Sequence, residues 1–189
     1  MIRVVDVHKS FGGQQVLKGV NLNFTTGKIT TIVGTSGCGK TVLLKHLNAL
    51  LLPDRGEIFV DDIDITKLRQ KELYAMRGRF GVLFQGAALL DSMTIFDNVA
   101  FPLRETTGLD PVLATGIHQL IARTQQAFGF TGVVVSHTIP QVFEISDYVA
   151  ILADGVIEEA KPTKEFQASQ NPVVQQFIKG EIEGPIRVL

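Results

Sequence analysis

The chain has 189 residues, 45% of them hydrophobic, and carries 18 basic and 19 acidic side chains for a net charge of −1. That length suits one domain with an ample core, and the charge balance excludes a global basic field of the kind that gathers nucleic acid. The single cysteine, Cys38, excludes an intramolecular disulfide framework and fits a reducing compartment.

The N-terminus runs straight into an alternating strand pattern, Ile2–Val7, which leaves no room for a signal or transit peptide. Val16–Phe24 repeats the alternation, with Gly12-Gly13 as the turn between the two runs. The apolar run Ile29–Val33 predicts a third strand, and a helix opens at Val42–Leu47 and should end near Pro53. Glu57–Asp62 reads as a strand and turn, and Gln70–Arg77 as a charged helix with Arg69, Lys71, Glu72 and Arg77 on a solvated face. A strand over Arg79–Phe84 and a helix near Ile95–Ala100 follow. After Pro111, residues Val112, Leu113, Ile117, Leu120 and Ile121 recur at helical spacing as far as about Phe128. Gly132–Ser136 predicts a buried strand, Ile139–Ile145 a short helix and Tyr148–Ala153 a further strand. Two short helical stretches and a tail occupy 163–189. Strands alternating with helices predict an α/β fold, parallel around the loop after Val33, with an antiparallel β subdomain at the N-terminus. No apolar run is long enough to cross a bilayer, so a membrane role would have to come through a partner.

The loop after Val33 carries the chemistry. Gly34-Thr35-Ser36-Gly37-Cys38-Gly39-Lys40-Thr41 matches G-x-x-x-x-G-K-[ST] at every fixed position and lies between a strand and a helix. Glycines let successive N–H groups turn inward onto a phosphate, and the helix start adds its positive dipole end. In that setting Lys40 reaches the β- and γ-phosphates and the Thr41 hydroxyl can ligate Mg²⁺. The loop implies a bound nucleoside triphosphate. Cys38 reads as a side chain pointing off the loop, although a helix N-terminus can make a thiol reactive.

Four further features stand in a fixed order around this loop. Phe11 precedes it by a strand pair, and an aromatic there can stack on adenine, with Val16 as a neighbouring candidate. Gln85 ends the strand Gly81–Phe84, Thr107–Pro111 forms a compact acidic turn containing Asp110, and Ser136-His137 ends the valine-rich strand. In that order they resemble the A-loop, Walker A, Q-loop, D-loop and H-loop of an ABC-transporter nucleotide-binding domain. Phe84–Leu89, Thr94–Glu105 and the tail from Asn171 to Pro185 are similar to the ATPase subunit of bacterial Mla-type phospholipid transporters. The resemblance implies an ATP hydrolase working as a homodimer on the cytoplasmic face of the inner membrane, with a permease and an MCE-type lipid-binding protein. It further implies that Gln85 serves Mg²⁺, that His137 contacts the γ-phosphate and that Asp110 acts across the dimer. The loop 86–91 would meet the permease.

Two elements of that family are not found. No Ser-Gly-Gly signature occurs, and no strand of four apolar residues ends in Asp-Glu at the expected place. Ile58–Asp62 and Val149–Asp154 end in acids but lie elsewhere in the order. Pro102–Glu105 abuts Thr106–Pro111, so several dozen residues are expected to be missing at 105/106. A nucleotide-binding subunit that does not hydrolyse ATP is the first alternative, and a soluble ABC-type ATPase of DNA repair the second.

Overall fold

The computed structural model describes residues 1–81, 111–136 and 139–186. Two four-stranded sheets organise them. The first is antiparallel and holds β1 (Ile2–Phe11), β2 (Gln14–Phe24), β4 (Arg55–Val60) and β5 (Ile63–Asp64) in the order β2-β1-β4-β5. The second, ordered β6-β3-β7-β8, is built on β3 (Ile29–Val33), β6 (Gly132–Val135), β7 (Tyr148–Ala153) and β8 (Val156–Pro162). Strands β6 and β7 flank β3 in parallel, and β8 closes the sheet antiparallel to β7.

Helix α1 (Lys40–Leu47) follows β3, and α2 (Gln70–Arg77) follows a 3-10 turn at Ile65–Lys67. Helix α3 (Pro111–Phe128) leads into β6, and α4 (Gln141–Ile145) into β7. Helices α5 (Thr163–Gln167) and α6 (Pro172–Lys179) complete the order. The last shows why these ends form where they do. The Asn171 Oδ1 accepts from Val173 N at 2.9 Å, Pro172 opens the first turn, and Gly180 ends the helix at φ 67°.

Each face of the second sheet has its own core. On one side Ile32, Ala150 and Leu152 pack with Leu43 and Leu47 of α1 and with Val4, Leu17, Leu22 and Phe24 of the antiparallel sheet. On the other, Val33, Val149 and Ile151 pack with Val142, Phe166, Val174 and Ile186. Strand β3 is therefore buried along its whole length, as expected of a parallel strand covered on both faces. Its register is pinned from below. Asp147 accepts from Ile29 N and from Lys28 Nζ, both at 2.9 Å, and Thr31 Oγ1 meets Ser146 Oγ at 2.5 Å. At the C-terminal side, Gln176 is 3% exposed and its amide straps down the following segment. Its Nε2 donates to Glu181 O and Ile186 O at 3.2 and 3.0 Å, and its Oε1 accepts from Ile186 N at 2.6 Å.

Several expectations change. Strand β1 runs on to Phe11, and α1 stops at Leu47 rather than near Pro53. Strand β8, expected only as part of the chain's remainder, forms because the Asp154-Gly155 turn returns the backbone along β7. Gly132–Val135 was expected to be buried, yet Val133, Val134 and Val135 are half-buried, because β6 pairs only with β3 among the described residues. Arg79 and Phe80 lie in a turn and a bend-free link rather than a strand. The rest of that expected strand, the helix near Ile95–Ala100, the loop 86–91 and the 105/106 junction lie outside the described residues.

Candidate functional site

Strand β3 delivers the chain into the glycine-rich loop, and three of its glycines take positive φ: Gly34 at 151°, Gly37 at 79° and Gly39 at 105°. Gly34 admits no side chain, and Gly39 is tightly crowded. A Cβ on Gly34 would fall 2.2 Å from Leu152 O, and one on Gly39 would fall 3.2 Å from Val16 Cγ1. The loop is thus moulded against the end of β7 on one side and against β2 on the other. Gly37 differs, with no atom within 4 Å of a Cβ, so the middle of the loop is open.

Lys40 begins α1 and folds back over this loop. Its Nζ donates to Gly34 O at 2.9 Å and Thr35 O at 2.7 Å, with Cys38 Sγ at 3.7 Å. The ammonium is therefore held at the mouth of the loop. Gly39 caps α1 in a left-handed conformation with no side-chain cap, which leaves the first N–H groups of the helix to an outside acceptor. No acidic residue lies in the first turn of α1. Thr41 is exposed, and its hydroxyl has no partner among the described residues. A cation, the uncapped first N–H groups of α1 and an unengaged hydroxyl suit a polyphosphate and its counter-ion.

Other elements converge here. Ser136 N donates to Ile32 O at 3.2 Å, so the end of β6 arrives beside the end of β3. Lys18 N donates to Gly155 O at 2.8 Å and ties the antiparallel sheet to the β7–β8 turn. Val16 lies against Gly39, whereas Phe11 stands 47% exposed at the end of the β1–β2 hairpin with Lys9 Nζ 5.6 Å from its ring. Gln85, Asp110 and His137 lie outside the described residues. Sequence reasoning missed Leu152 as a wall against which the loop is shaped. The Asp-Gly pair after β7 was the available signal.

A parallel strand, a glycine loop with its lysine and an uncapped helix define a P-loop nucleotide-binding domain of the α/β class. The family profile described as ABC transporter matches residues 17–166. The chain is 32% identical over 246 aligned residues to the intermembrane phospholipid transport system ATP-binding protein MlaF of Haemophilus influenzae, taking in 99% of this chain and 93% of that protein. It is 31% identical to the MlaF of Escherichia coli, over 98% of this chain and 91% of that one. A probable ribonucleotide transport ATP-binding protein, mkl, of Mycobacterium leprae matches at 31% over 98% of this chain and 70% of its own length. The fold is also that of the ATP-binding cassette MJ0796, solved as a dimer bound to ADP and Pi, with a TM-score of 0.72 at 24% identity over 86% of this chain and 99% of that one. The chain belongs to the ABC transporter family of nucleotide-binding ATP hydrolases. Because 246 aligned residues exceed the 189 of this chain, the Haemophilus relative carries several dozen residues with no counterpart here.

Proposed function

We propose that this chain is the ATP-binding subunit of a phospholipid transporter, peripheral on the cytoplasmic face of the membrane and paired with a second copy beneath a permease that serves an MCE-type lipid-binding protein. The observation that carries the reading is Lys40, held over an open glycine loop at an uncapped helix start. The relatives' names supply the phospholipid. Among the described residues no helix is long and apolar enough to cross a membrane.

In this reading the loop amides and α1 orient the triphosphate, and Lys40 exchanges its carbonyl partners for β- and γ-phosphate oxygens. Thr41 and Gln85 would hold Mg²⁺, which when bound neutralises charge building on the phosphates. Val16 or Phe11 supports the adenine, His137 contacts the γ-phosphate, and Asp110 acts across the dimer. Binding draws the two copies together, and hydrolysis releases them.

The alignment length favours one further reading. A segment absent between Glu105 and Thr106 would take with it a strand neighbouring β6, and the half-buried valines of β6 accord with that loss. Such a chain would bind nucleotide without turning it over. Phosphate release by the purified chain, measured beside ATP affinity, decides: turnover supports the complete subunit, and binding without turnover supports the shortened one. Absence of ATP binding would overturn both.

A further inference from the structure

The tip of the β1–β2 hairpin is fastened to the chain that follows α1. Asp54 N donates to His8 O at 2.9 Å, and Asp54 Oδ2 accepts from Ser10 N at 2.7 Å. Lys9 Nζ donates to Asp54 Oδ1 at 2.6 Å and to Leu52 O at 3.0 Å. The bonds from Lys9 and Ser10 hold the Asp54 carboxyl below its usual range. They leave the ammonium little freedom, and only 14% of the Lys9 side chain is exposed. Nζ also stands over the ring of Phe11, 5.6 Å from its centre, within the reach of a cation–π contact.

Strand register puts this pair on the side of the hairpin that meets the glycine loop. Lys9 is the partner of Leu17, and partnered residues of antiparallel strands share a face. Phe11, two residues further along β1, lies on that face as well. Leu17 is fully buried, and its Cδ2 would stand 3.1 Å from a Cβ on Gly39, where α1 opens. A Lys–Asp pair alone would do no more than hold the hairpin. It does not account for a large aromatic left 47% exposed with a cation over one side of its ring. That arrangement fixes the ring and leaves its other side for a flat group.

We propose that Lys9 is a positioning residue for the nucleotide base, holding the Phe11 ring so that its free side stacks on that base. The inference rests on the nucleotide reading above and selects Phe11 over Val16 as the support. Lys9 touches no part of the nucleotide and acts through the ring. Its own anchors, Asp54 and Leu52 O, belong to the chain just beyond α1. One helix then sets both ends of the ligand: its first turn holds the phosphates, and the chain after its last turn holds the base.

The test compares MgATP with inorganic tripolyphosphate, which offers phosphates without a base, in calorimetric titrations of the full chain. Phe11→Ala should weaken MgATP about tenfold. Lys9→Met, which keeps an unbranched stem and removes the charge, should weaken it about threefold or more. Neither variant should change the affinity for tripolyphosphate. The double variant should bind MgATP as Phe11→Ala does, because a residue acting through the ring adds nothing once the ring is gone. Thermal unfolding checks that each variant is folded. Full ATP affinity in Lys9→Met beside a loss in Phe11→Ala would leave the base on Phe11 and overturn the role of Lys9. Additive losses, or an equal loss for tripolyphosphate in Lys9→Met, would overturn it too. Full ATP affinity in Phe11→Ala would take the base off Phe11 and the proposal with it. An unmodified chain that binds neither ligand would instead remove the nucleotide reading, and this inference with it.

Discussion

Lys40 is bonded to two carbonyls of its own loop, so its removal should leave the fold while removing the loop's only ammonium. Lys40→Ala is expected to weaken ATP binding by about 1.5–3 kcal/mol, the range for a charge-assisted hydrogen bond. Calorimetric titration measures it, and an unchanged affinity would remove the nucleotide reading. Cys38 gives an independent probe, since its sulfur lies 3.7 Å from the Lys40 ammonium and is half-buried. A thiol reagent should label it more slowly with MgATP present, and equal rates would place the bound nucleotide elsewhere. The glycines separate by their surroundings. Gly34→Ala puts a methyl on Leu152 O and should cost about 1–3 kcal/mol in urea unfolding. Gly37→Ala meets no atom and carries only the strain of its positive φ, so it should cost less.

At the scale of elements, the buried end of α1 has its own pH dependence. His46 is fully buried, its Nδ1 donates to Val42 O at 2.6 Å, and its Nε2 has no partner. Burial pushes its pKa below the usual 6.5, outweighing the opposing pull of the Val42 carbonyl. The folded state therefore binds this proton less readily than the unfolded chain does. Its stabilising effect is complete above the unfolded value of about 6.5 and is lost as pH falls toward the depressed folded value. Unfolding followed from pH 7.5 to 5.5 should show stability declining, with a smaller slope in His46→Leu. Equal slopes would mean that His46 takes up its proton without disturbing α1. Much at this scale was legible beforehand. The charged helix Gln70–Arg77 and the strand Tyr148–Ala153 fall where periodicity put them, because each carries its own pattern of apolar and polar residues. Strand β8 was not legible, since Val156–Pro162 mixes Glu, Lys and Pro with few apolar residues and is held in place by pairing with β7. The loop itself was plain from its spacing. One wall that shapes it, Leu152, lies more than a hundred residues away and enters only through packing.

For the molecule as a whole, protection should not be uniform. Backbone amides of β3 and β7 sit between two cores and are expected to exchange with solvent only on global unfolding. Those of β6, with half-buried valines and exposed Phe128 preceding it, should exchange faster. Equal protection in the three strands would mean that residues outside those described cover β6. The proposed permease contact belongs to the same scale. Glutamates in place of Leu89 and Leu90 should release the permease in a pull-down while sparing ATP affinity, and a complex that survives them would put docking on another surface.

One amide, that of Gln176, holds the segment 181–186 by both its nitrogen and its oxygen, and a Cβ on Gly184 would fall 2.5 Å from it. A protease meeting this region therefore confronts a latch rather than a loose end. The rate of clipping would be timed by how often a single side chain lets go, and Gln176→Ala would turn a slow, gated cleavage into an ungated one.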